Sequence, residues 1–233
     1  MHGHLPPRYE HFAARWETDF WELAEPGLKP GARVLDVGSG RRPALPLHQR
    51  PDGITYVGLD LSPRELEAAP PGSYDAVVVS DVCTRVPELE GRFDLIVTWQ
   101  VLEHVDSLER ALANLRLYLT QGGHAVALFS GRYSAFGTAN LLLPRRLGAR
   151  LVARIMKRDP QTVFPAYYDR CHRTGLEHLL ESWSQVRVIS AWNGATYFNF
   201  FRPLQACYVF YEEWTAVAGR DNLATHYYLQ LRK

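Results

Sequence analysis

A short glycine-containing segment carries the clearest chemistry in the chain. In residues 34–43, VLDVGSGRRP, Asp36 precedes Gly38, Ser39 and Gly40 at the end of an apolar run. Glycines at such a place let the backbone turn tightly and approach a ligand closely. The third glycine of GxGxxG, the motif whose amides face a pyrophosphate, is missing. The segment therefore predicts a nucleotide-like ligand that lacks phosphate and carries a charged amino-acid end.

Two histidines are candidates for accepting a proton. His104 follows the apolar run 93–99, and His172 follows Tyr167-Tyr168-Asp169 in a later polar stretch. An imidazole at either position could take a proton from a reacting hydroxyl. Each is also compatible with a structural role, His104 packed against a sheet and His172 at the surface. The sequence leaves both alternatives open.

The elements that must position these residues follow a repeating pattern of apolar runs and helical segments. Continuous apolar runs separated by helices are typical of a sheet covered on both faces. The architecture predicted is therefore doubly wound α/β. The runs predicted to be strands are 33–37, 56–59, 76–80, 93–99, 125–130, 186–190 and 226–231.

Helical spacing marks the segments between and around the strands. In residues 9–23, Phe12, Trp16, Phe20 and Leu23 share one helical face. Leucines of residues 108–119 do the same, and we expect Gly122-Gly123 to end that helix before the fifth strand begins. Further helices are predicted over 134–158, 174–182 and 203–217.

The glycine segment resembles the first motif of class I S-adenosylmethionine-dependent methyltransferases, and later landmarks follow in that family's order. Asp60, in YVGLDLS, resembles the acidic residue that accepts hydrogen bonds from both ribose hydroxyls. Ser80-Asp81-Val82 resembles the segment whose Asp pairs with the adenine amino group. Residues 93–105, FDLIVTWQVLEHV, resemble the segment that closes over the cofactor with Trp99 and Gln100.

The resemblance covers about residues 30–130 and is nearest to the UbiE/UbiG-like small-molecule methyltransferases, in which VLEHV is common. It implies S-adenosylmethionine as cofactor, S-adenosylhomocysteine as product and no metal. One departure is Arg42 at the family's last glycine position, between Arg41 and Pro43. The cofactor-binding residues that the resemblance implies are Asp36, Gly38, Ser39, Gly40, Asp60, Leu61, Asp81, Val82, Trp99 and Gln100.

The resemblance also implies a domain plan. We expect one domain over 1–233, with a Rossmann-like, seven-stranded, mostly parallel sheet, an antiparallel last strand and helical lid insertions. Residues 1–28 would form an N-terminal helical lid, in which Arg8 or Tyr9 could reach the methionine carboxylate. A plain packing helix is the alternative. Segments 131–175 and 191–225 would be insertions on the acceptor side.

Two stretches of unusual composition bear on the acceptor. Residues 141–158 contain six basic side chains and no acidic one, with Leu147, Leu151 and Ile155 at intervals of four. Such a helix could contact a membrane surface or an anionic acceptor, or it could be a lid with a solvated basic face. Residues 193–217 are rich in aromatic rings, which suit a flat or apolar acceptor and equally suit a core.

Composition excludes several classes of function. The formal net charge of +1 lacks the basic excess that nucleic-acid binding requires. Three widely spaced cysteines fit neither a disulfide framework nor a zinc site. Without a secretory or transmembrane segment, we expect a cytoplasmic protein.

Together these features predict transfer of a methyl group to a small molecule, preferentially to a hydroxyl of a hydrophobic or lipid- or glycan-linked metabolite. Two alternatives remain open: an N- or C-methyltransferase, and a non-catalytic module that binds S-adenosylmethionine. An NAD-type oxidoreductase is disfavoured because GxGxxG is missing.

Overall fold

The computed structural model describes residues 15–134, 137–138, 166–198 and 200–233. Seven strands and five α-helices lie within these ranges. The strands are β1 (Arg33–Val37), β2 (Thr55–Asp60), β3 (Ala76–Val79), β4 (Phe93–Trp99), β5 (Leu119–Ser130), β6 (Gln185–Ala191) and β7 (His226–Arg232). The helices are α1 (Trp16–Ala24), α2 (Pro63–Glu67), α3 (Leu108–Tyr118), α4 (Arg173–Glu177) and α5 (Arg202–Val217).

All seven strands join one sheet in the order β3-β2-β1-β4-β5-β7-β6. The pairs from β3 to β5 are parallel, and β7 runs antiparallel to both β5 and β6. The predicted fold class, a doubly wound, mostly parallel sheet with an antiparallel last strand, is therefore confirmed. β1 lies between β2 and β4. The chain first adds β2 and β3 on one side of β1 and then crosses to the other side, where it adds β4 and the later strands. A crevice forms at such a switch point, outside the carboxyl ends of the strands.

Apolar helices cover both faces of the sheet. On one face, Leu108, Leu112 and Leu115 of α3 pack with buried residues of β1 and β4. On the other, Phe20 and Leu23 of α1 pack against β1, β4 and β5. Each fully buried side chain of this kind stabilises the fold by about 1.5–3 kcal/mol. The two layers hold the strand ends in fixed positions.

The strand β5 begins earlier than predicted. Helix α3 ends at Tyr118, and β5 starts at Leu119, which pairs with Phe93 of β4. The prediction that Gly122-Gly123 ends the helix is wrong, since both glycines lie inside β5. Gly122 has a left-handed φ of 77° in the stretch where the β4–β5 register shifts. Paired glycines at a strand irregularity resemble a helix stop because both need the same backbone freedom.

The remaining helices agree with prediction where they are described. The predicted helix 203–217 is α5, which contains Pro203 in its first turn. The predicted helix 174–182 is α4 followed by a 3₁₀ turn, His178–Leu180. Most of the predicted helix 134–158, including the basic segment 141–158, lies outside the described residues. No helix within the described ranges combines the length and apolar character needed to cross a bilayer.

The N-terminal segment 1–28 is described only from residue 15. There α1 packs on the sheet, with Phe20 fully buried, and a 3₁₀ turn (Glu25–Gly27) connects it towards β1. This part is a core helix, and Arg8 and Tyr9 lie outside the described residues.

Candidate functional site

The carboxyl ends of four parallel strands meet at one edge of the sheet. Val37 at the end of β1 is in register with Leu59 of β2 and Thr98 of β4, and Asp60 is in register with Val79 of β3. The glycine loop, Asp60-Leu61, Asp81-Val82 and Trp99-Gln100 each follow or end one of these strands. The fold therefore brings the predicted cofactor-binding residues together.

The loop after β1 depends on its glycines. Gly38 and Gly40 have left-handed φ values of 70° and 47°. A Cβ at Gly38 would lie 2.2 Å from Val101 Cγ2, and one at Gly40 would lie 3.5 Å from Asp60 Oδ2. The Gly38 amide donates to Leu59 O at 2.7 Å, which draws the loop onto β2. The backbone is thus an open cradle that side chains would fill.

Asp36 holds this loop from beneath. Its side chain is buried, and Oδ2 accepts hydrogen bonds from the Ala44 amide at 2.7 Å and the Tyr56 hydroxyl at 2.8 Å. Burial raises the pKa of Asp36 to about 7, and these hydrogen bonds oppose the rise. The Leu45 amide in turn donates to Tyr56 Oη at 3.0 Å. The contacts of Asp36 give it a positioning role, and direct binding of a ligand by its carboxylate stays a prediction.

The departure from the family's glycine pattern has a structural counterpart. Arg41 donates through Nε to Glu65 Oε2 at 2.7 Å, and its Nη2 donates to the other carboxylate oxygen. Glu65 belongs to α2, which begins directly after β2. The Arg42 amide donates to Ser39 O at 3.2 Å, closing the turn. In place of a last glycine, the chain fastens the loop to α2 by a two-pronged ion pair.

Asp60 and Leu61 border the cradle on the β2 side. Asp60 is half-buried, and its Oδ1 accepts a hydrogen bond from the Ser62 amide at 2.8 Å. Burial raises the pKa of Asp60, and backbone amides, first that of Ser62, oppose the rise. Leu61 is 63% exposed, so a large apolar side chain faces outward beside a carboxylate.

The segment after β3 contributes a second carboxylate. Asp81 Oδ1 accepts a hydrogen bond from the Cys83 amide at 2.8 Å. The side chain of Val82 is buried, and its carbonyl accepts from Asn114 Nδ2 at 2.8 Å. The second of these hydrogen bonds connects the turn to α3 through Asn114.

The two predicted cofactor residues at the end of β4, Trp99 and Gln100, have different surroundings. Trp99 packs edge-on against Phe20 of α1, with ring centroids 4.9 Å apart. Gln100 has a left-handed φ of 56°, which is uncommon outside glycine, and its Oε1 accepts from Ser130 Oγ at 2.9 Å. Sparsely populated backbone conformations concentrate at functional sites. Gln100 is the better placed of the two to meet a ligand.

Glu103 is a buried carboxylate that sequence reasoning did not assign to the site. It is 2% exposed, and Oε1 accepts a hydrogen bond from the Ser130 amide at 3.2 Å. Burial raises the pKa of Glu103, and the nearby His104 opposes the rise. The sequence signal is weak, because Glu103 stands between the buried Leu102 and Val105 but a glutamate is seldom fully buried.

The two candidate histidines occupy different places. His104 ends the 3₁₀ turn Leu102–His104 at the carboxyl edge of β4, beside Glu103. His172 caps α4: its Nδ1 accepts from the Gly175 amide at 3.2 Å and lies 3.0 Å from Thr174 Oγ1. An imidazole nitrogen that caps a helix has to break that bond before it can take a proton. A catalytic role for either histidine stays a prediction.

A second group of buried polar residues, which we call the late polar cluster, lies at the start of β7. Glu212 Oε1 accepts from the Gly194 amide at 2.9 Å and from Thr225 Oγ1 at 2.6 Å. His226 Nδ1 lies 2.6 Å from Asn193 Oδ1. Its remaining hydrogen bond, between Nε2 and the Tyr197 hydroxyl, measures 3.1 Å.

Burial sets the charge of the late polar cluster. It lowers the pKa of His226 to about 3 and raises that of Glu212 to about 7. His226 is therefore neutral, and because Asn193 Oδ1 can only accept, Nδ1 carries the proton. Sequence analysis placed these residues in an aromatic acceptor insertion or in the last strand and missed the cluster.

Comparison with known proteins gives one family. A family model described as a methyltransferase domain matches residues 8–185. An uncharacterized methyltransferase of Mycobacterium sp. (strain KMS) is 32% identical over 137 residues, 58% of this chain and 54% of that protein. A second, from Mycobacteroides abscessus, is 29% identical over 143 residues, 59% of this chain and 54% of the relative. The matches thus span about half the length of these curated relatives.

Solved structures share the fold at low identity. Phosphoethanolamine N-methyltransferase 2 of Haemonchus contortus, in complex with S-adenosyl-L-methionine, is 14% identical with a TM-score of 0.56 and covers 93% of this chain and 52% of its own. A SAM-dependent methyltransferase from Aquifex aeolicus is 15% identical with a TM-score of 0.53, covering 98% and 93%. The [4+2]-cyclase SpnF is 17% identical with a TM-score of 0.57, covering 93% and 80%.

Proposed function

The chain belongs to the methyltransferase domain family, and from this premise we propose that it transfers a methyl group from S-adenosylmethionine to a hydroxyl of a hydrophobic small molecule. One observation carries the proposal. The glycine cradle, the carboxylates of Asp60 and Asp81, and the exposed Leu61 meet at the switch point of the sheet. This set is complementary to a nucleoside that bears no phosphate.

The residues present fit the cofactor. The cradle at Gly38 and Gly40 leaves room for a ligand against the backbone. The half-buried Asp60 has the acceptor oxygens that two ribose hydroxyls require. Leu61 offers an apolar surface to one face of adenine, and Asp81 could accept from its amino group. Val82, next to Asp81, has a buried side chain that keeps this turn in place.

S-Adenosylmethionine supplies an electrophilic methyl group on a sulfonium. The protein then has two tasks, to align the acceptor and to receive one proton. His104, at the ligand edge, is our candidate for receiving the proton. His172 is the weaker candidate, because its Nδ1 is used in capping α4.

Aromatic residues support an apolar acceptor. Phe200 and Phe201 are 67% and 55% exposed, and the segment that contains them leads into α5 between β6 and β7. Both β6 and β7 reach the ligand edge of the sheet. His226 of β7 is in register with Ser130 at the carboxyl end of β5 and with Ala191 of β6. Exposed rings at such an edge favour a flat or apolar molecule. The likeness of VLEHV to UbiE/UbiG-like enzymes favours a small molecule and extends to lipid- or glycan-linked ones.

Calorimetry tests the cofactor assignment. We expect S-adenosylmethionine and S-adenosylhomocysteine to bind at micromolar concentration and NAD to give no heat. Absence of heat with both adenosyl compounds would contradict the proposal.

Turnover with a labelled methyl donor tests the acceptor. Phenolic and aliphatic alcohols should gain the label, whereas matched amines and carbon acids should not. Labelling of amines or carbon acids alone would establish N- or C-methylation. Cofactor binding without turnover across the panel would favour a non-catalytic module. Both results would contradict the hydroxyl assignment.

A further inference from the structure

Helix α5 has apolar side chains on its outer face. Residues spaced by four, three, four and three positions form a line along it, which we call the outer stripe: Pro203, Cys207, Phe210, Trp214 and Val217. All of them are exposed, and the exposed fractions of Phe210, Trp214 and Val217 are 72%, 55% and 86%. This alternating spacing is that of the seam along which two helices pack against each other.

The opposite face of α5 is mostly polar and is fixed to the rest of the fold. Gln205 Nε2 donates to Ala195 O at 3.1 Å, and the Tyr208 hydroxyl lies 3.2 Å from Thr225 Oγ1. Glu212 is held in the late polar cluster by the hydrogen bonds described above. An amphipathic helix usually buries its apolar face. Here the hydrogen bonds of the polar face keep the outer stripe turned away from the core.

The area of this apolar surface is enough for a protein interface. Leu204, which is 40% exposed, and the exposed Ala206 border the outer stripe. If a large side chain buries about 150–250 Å², the exposed parts of the stripe and its border amount to about 600 Å² in each copy. Two copies packed face to face would bury about 1,200 Å², the lower limit for specific, stable protein–protein interfaces. Exposed apolar patches of this size mark interaction sites.

The charges of α5 favour a protein partner over a lipid surface. The exposed charged residues of this helix are Arg202 and Glu213, one of each sign. Helices that lie on anionic membranes are rich in Lys and Arg beside their apolar face. Within α5, the outer stripe has no such basic border.

The outer stripe is complementary to itself. Its positions are spaced almost symmetrically about Phe210, with Cys207 and Trp214 nearest on either side and Pro203 and Val217 beyond them. If two copies of α5 pack antiparallel, the small Cys207 of each copy faces the large Trp214 of the other. A two-fold interface requires this reciprocity, because the same patch serves both subunits. Small side chains opposite large ones also allow close packing.

We propose that the outer stripe is the interface of a homodimer, in which two copies of α5 pack antiparallel across a two-fold axis beside Phe210. The interface removes the exposed rings of Phe210 and Trp214 from water, which stabilises the pair. The inference goes beyond the proposed function and does not depend on it, since the outer stripe supplies no residue of the cofactor cradle.

Sedimentation velocity of the whole chain, at about 1–100 µM, tests the association. We expect the wild type to be dimeric at the upper concentration. Phe210→Glu places two like charges beside the axis and should weaken dimerisation by at least about 30-fold. Its far-ultraviolet circular dichroism should match that of the wild type, which shows that the variant is folded.

Val77→Glu is the matched control. It changes another large apolar residue, which is 52% exposed, on β3. This strand forms one edge of the sheet, whereas α5 connects β6 and β7 at the other edge. The dimer should be unaffected.

The reactivity of Cys207 reports on the interface directly. Cys207 is exposed, whereas Cys83 and Cys171 are buried. Dimerisation should slow alkylation of Cys207 by iodoacetamide by about tenfold between the lowest and highest protein concentrations. Phe210→Glu should react at the fast rate at both concentrations.

Oxidation by copper phenanthroline tests the antiparallel arrangement. Trp214→Cys should form a disulfide between Cys207 of one copy and the new thiol of the other, whereas the wild type should not be cross-linked. Within one copy these positions lie about 10 Å apart along the helix, which is too far for a disulfide. Cross-linking of the wild type through Cys207 would indicate parallel helices and contradict the proposal.

Other outcomes also overturn the inference. These are a wild type that is monomeric at about 100 µM, a dimer that persists in Phe210→Glu, and a dimer that Val77→Glu disrupts equally. Flotation with vesicles of phosphatidylcholine and phosphatidylserine tests the lipid alternative, and we expect no binding. If a monomeric wild type binds these vesicles and Phe210→Glu does not, the outer stripe is a membrane surface instead.

Discussion

The two polar regions of this sheet edge differ in how open they are to a ligand. At the ends of β1 and β4, glycines leave the backbone open, Leu61 is exposed, and Gln100 and Glu103 each keep one unpaired atom. At the start of β7, the late polar cluster satisfies His226 at both ring nitrogens and Glu212 Oε1 twice, and Glu212 Oε2 is buried without a partner among the described residues.

The regions differ in access, because the glycine loop leaves its backbone open and Leu61 is exposed, whereas Glu212, Thr225 and His226 are buried within the fold. Buried hydrogen bonds such as those of the late polar cluster fix the positions of the elements that they join. The late polar cluster connects β7, the segment after β6 and α5, so we expect it to act on stability. Changes near β1 and β4 should act on ligand affinity.

The largest effect should come from Gly38→Ala. The new Cβ would lie 2.2 Å from Val101 Cγ2 at a φ of 70°, so the loop has to move. Left-handed strain and overpacking together should cost about 2–4 kcal/mol, which corresponds to S-adenosylhomocysteine binding weaker by about 30- to 700-fold. Calorimetry measures the loss.

Gly31→Ala is the control for Gly38→Ala. Gly31 has a φ of 75° and no heavy atom within 4 Å of the added Cβ, so it carries the strain without the collision. Its affinity should equal that of the wild type. Equal affinities for all three proteins would show that the loop does not form the cofactor cradle.

Next in size is Glu212→Ala. Removal of the carboxylate leaves the Gly194 amide and Thr225 hydroxyl without their acceptor, which should destabilise the fold by about 2 kcal/mol. Affinity for S-adenosylhomocysteine, corrected for the folded fraction, should not change. Chemical denaturation measures the first quantity, and Glu213→Ala at the exposed neighbouring position should have almost no effect. A large loss of affinity in Glu212→Ala would place the cluster in the binding site.

The sequence could predict features that depend on local spacing, but not those that depend on contacts between distant residues. Strand runs such as 93–99 and the segment VLDVGSG depend on local spacing, and all seven predicted strands are present. The late polar cluster could not be found this way. Its members come from positions 193 to 226, and only tertiary packing brings Glu212 to Thr225 and His226 to Asn193.

Predictions from the sequence failed or stayed incomplete where strand pairing or tertiary packing decides the role of a residue. Gly122-Gly123 suggested a helix stop but forms a strand irregularity. Glu103, inside VLEHV, was not assigned to the site, because its burial follows from tertiary packing beside Ser130 and not from local spacing. Asp36 was predicted from the motif, yet its partners Ala44 and Tyr56 could be identified only from the fold.

A smaller effect should follow from Asp60→Asn. The amide keeps an acceptor for the Ser62 amide, so stability should change little. One of two ribose hydroxyls would lose its charged acceptor, which should weaken S-adenosylhomocysteine by about tenfold. Asp52→Asn, at an exposed site, is the control. Unchanged affinity in Asp60→Asn would remove Asp60 from the proposed ribose site.

The smallest effect is a pH dependence that both regions share. Burial raises the pKa of Asp36 and of Glu212 to about 7, from ordinary values of 3.8 and 4.5. The folded protein therefore binds protons that the unfolded chain has released, and this contribution to stability is lost as pH rises through the folded pKa. The free energy of unfolding of the wild type, relative to Glu212→Gln, should fall by about 1 kcal/mol between about pH 6 and pH 7. Asp36→Asn should give the same trend. Subtracting the two free energies of unfolding removes the contribution of His226, whose lowered pKa acts in the opposite direction. If the difference between the two free energies does not change with pH, Glu212 is already charged in the folded protein.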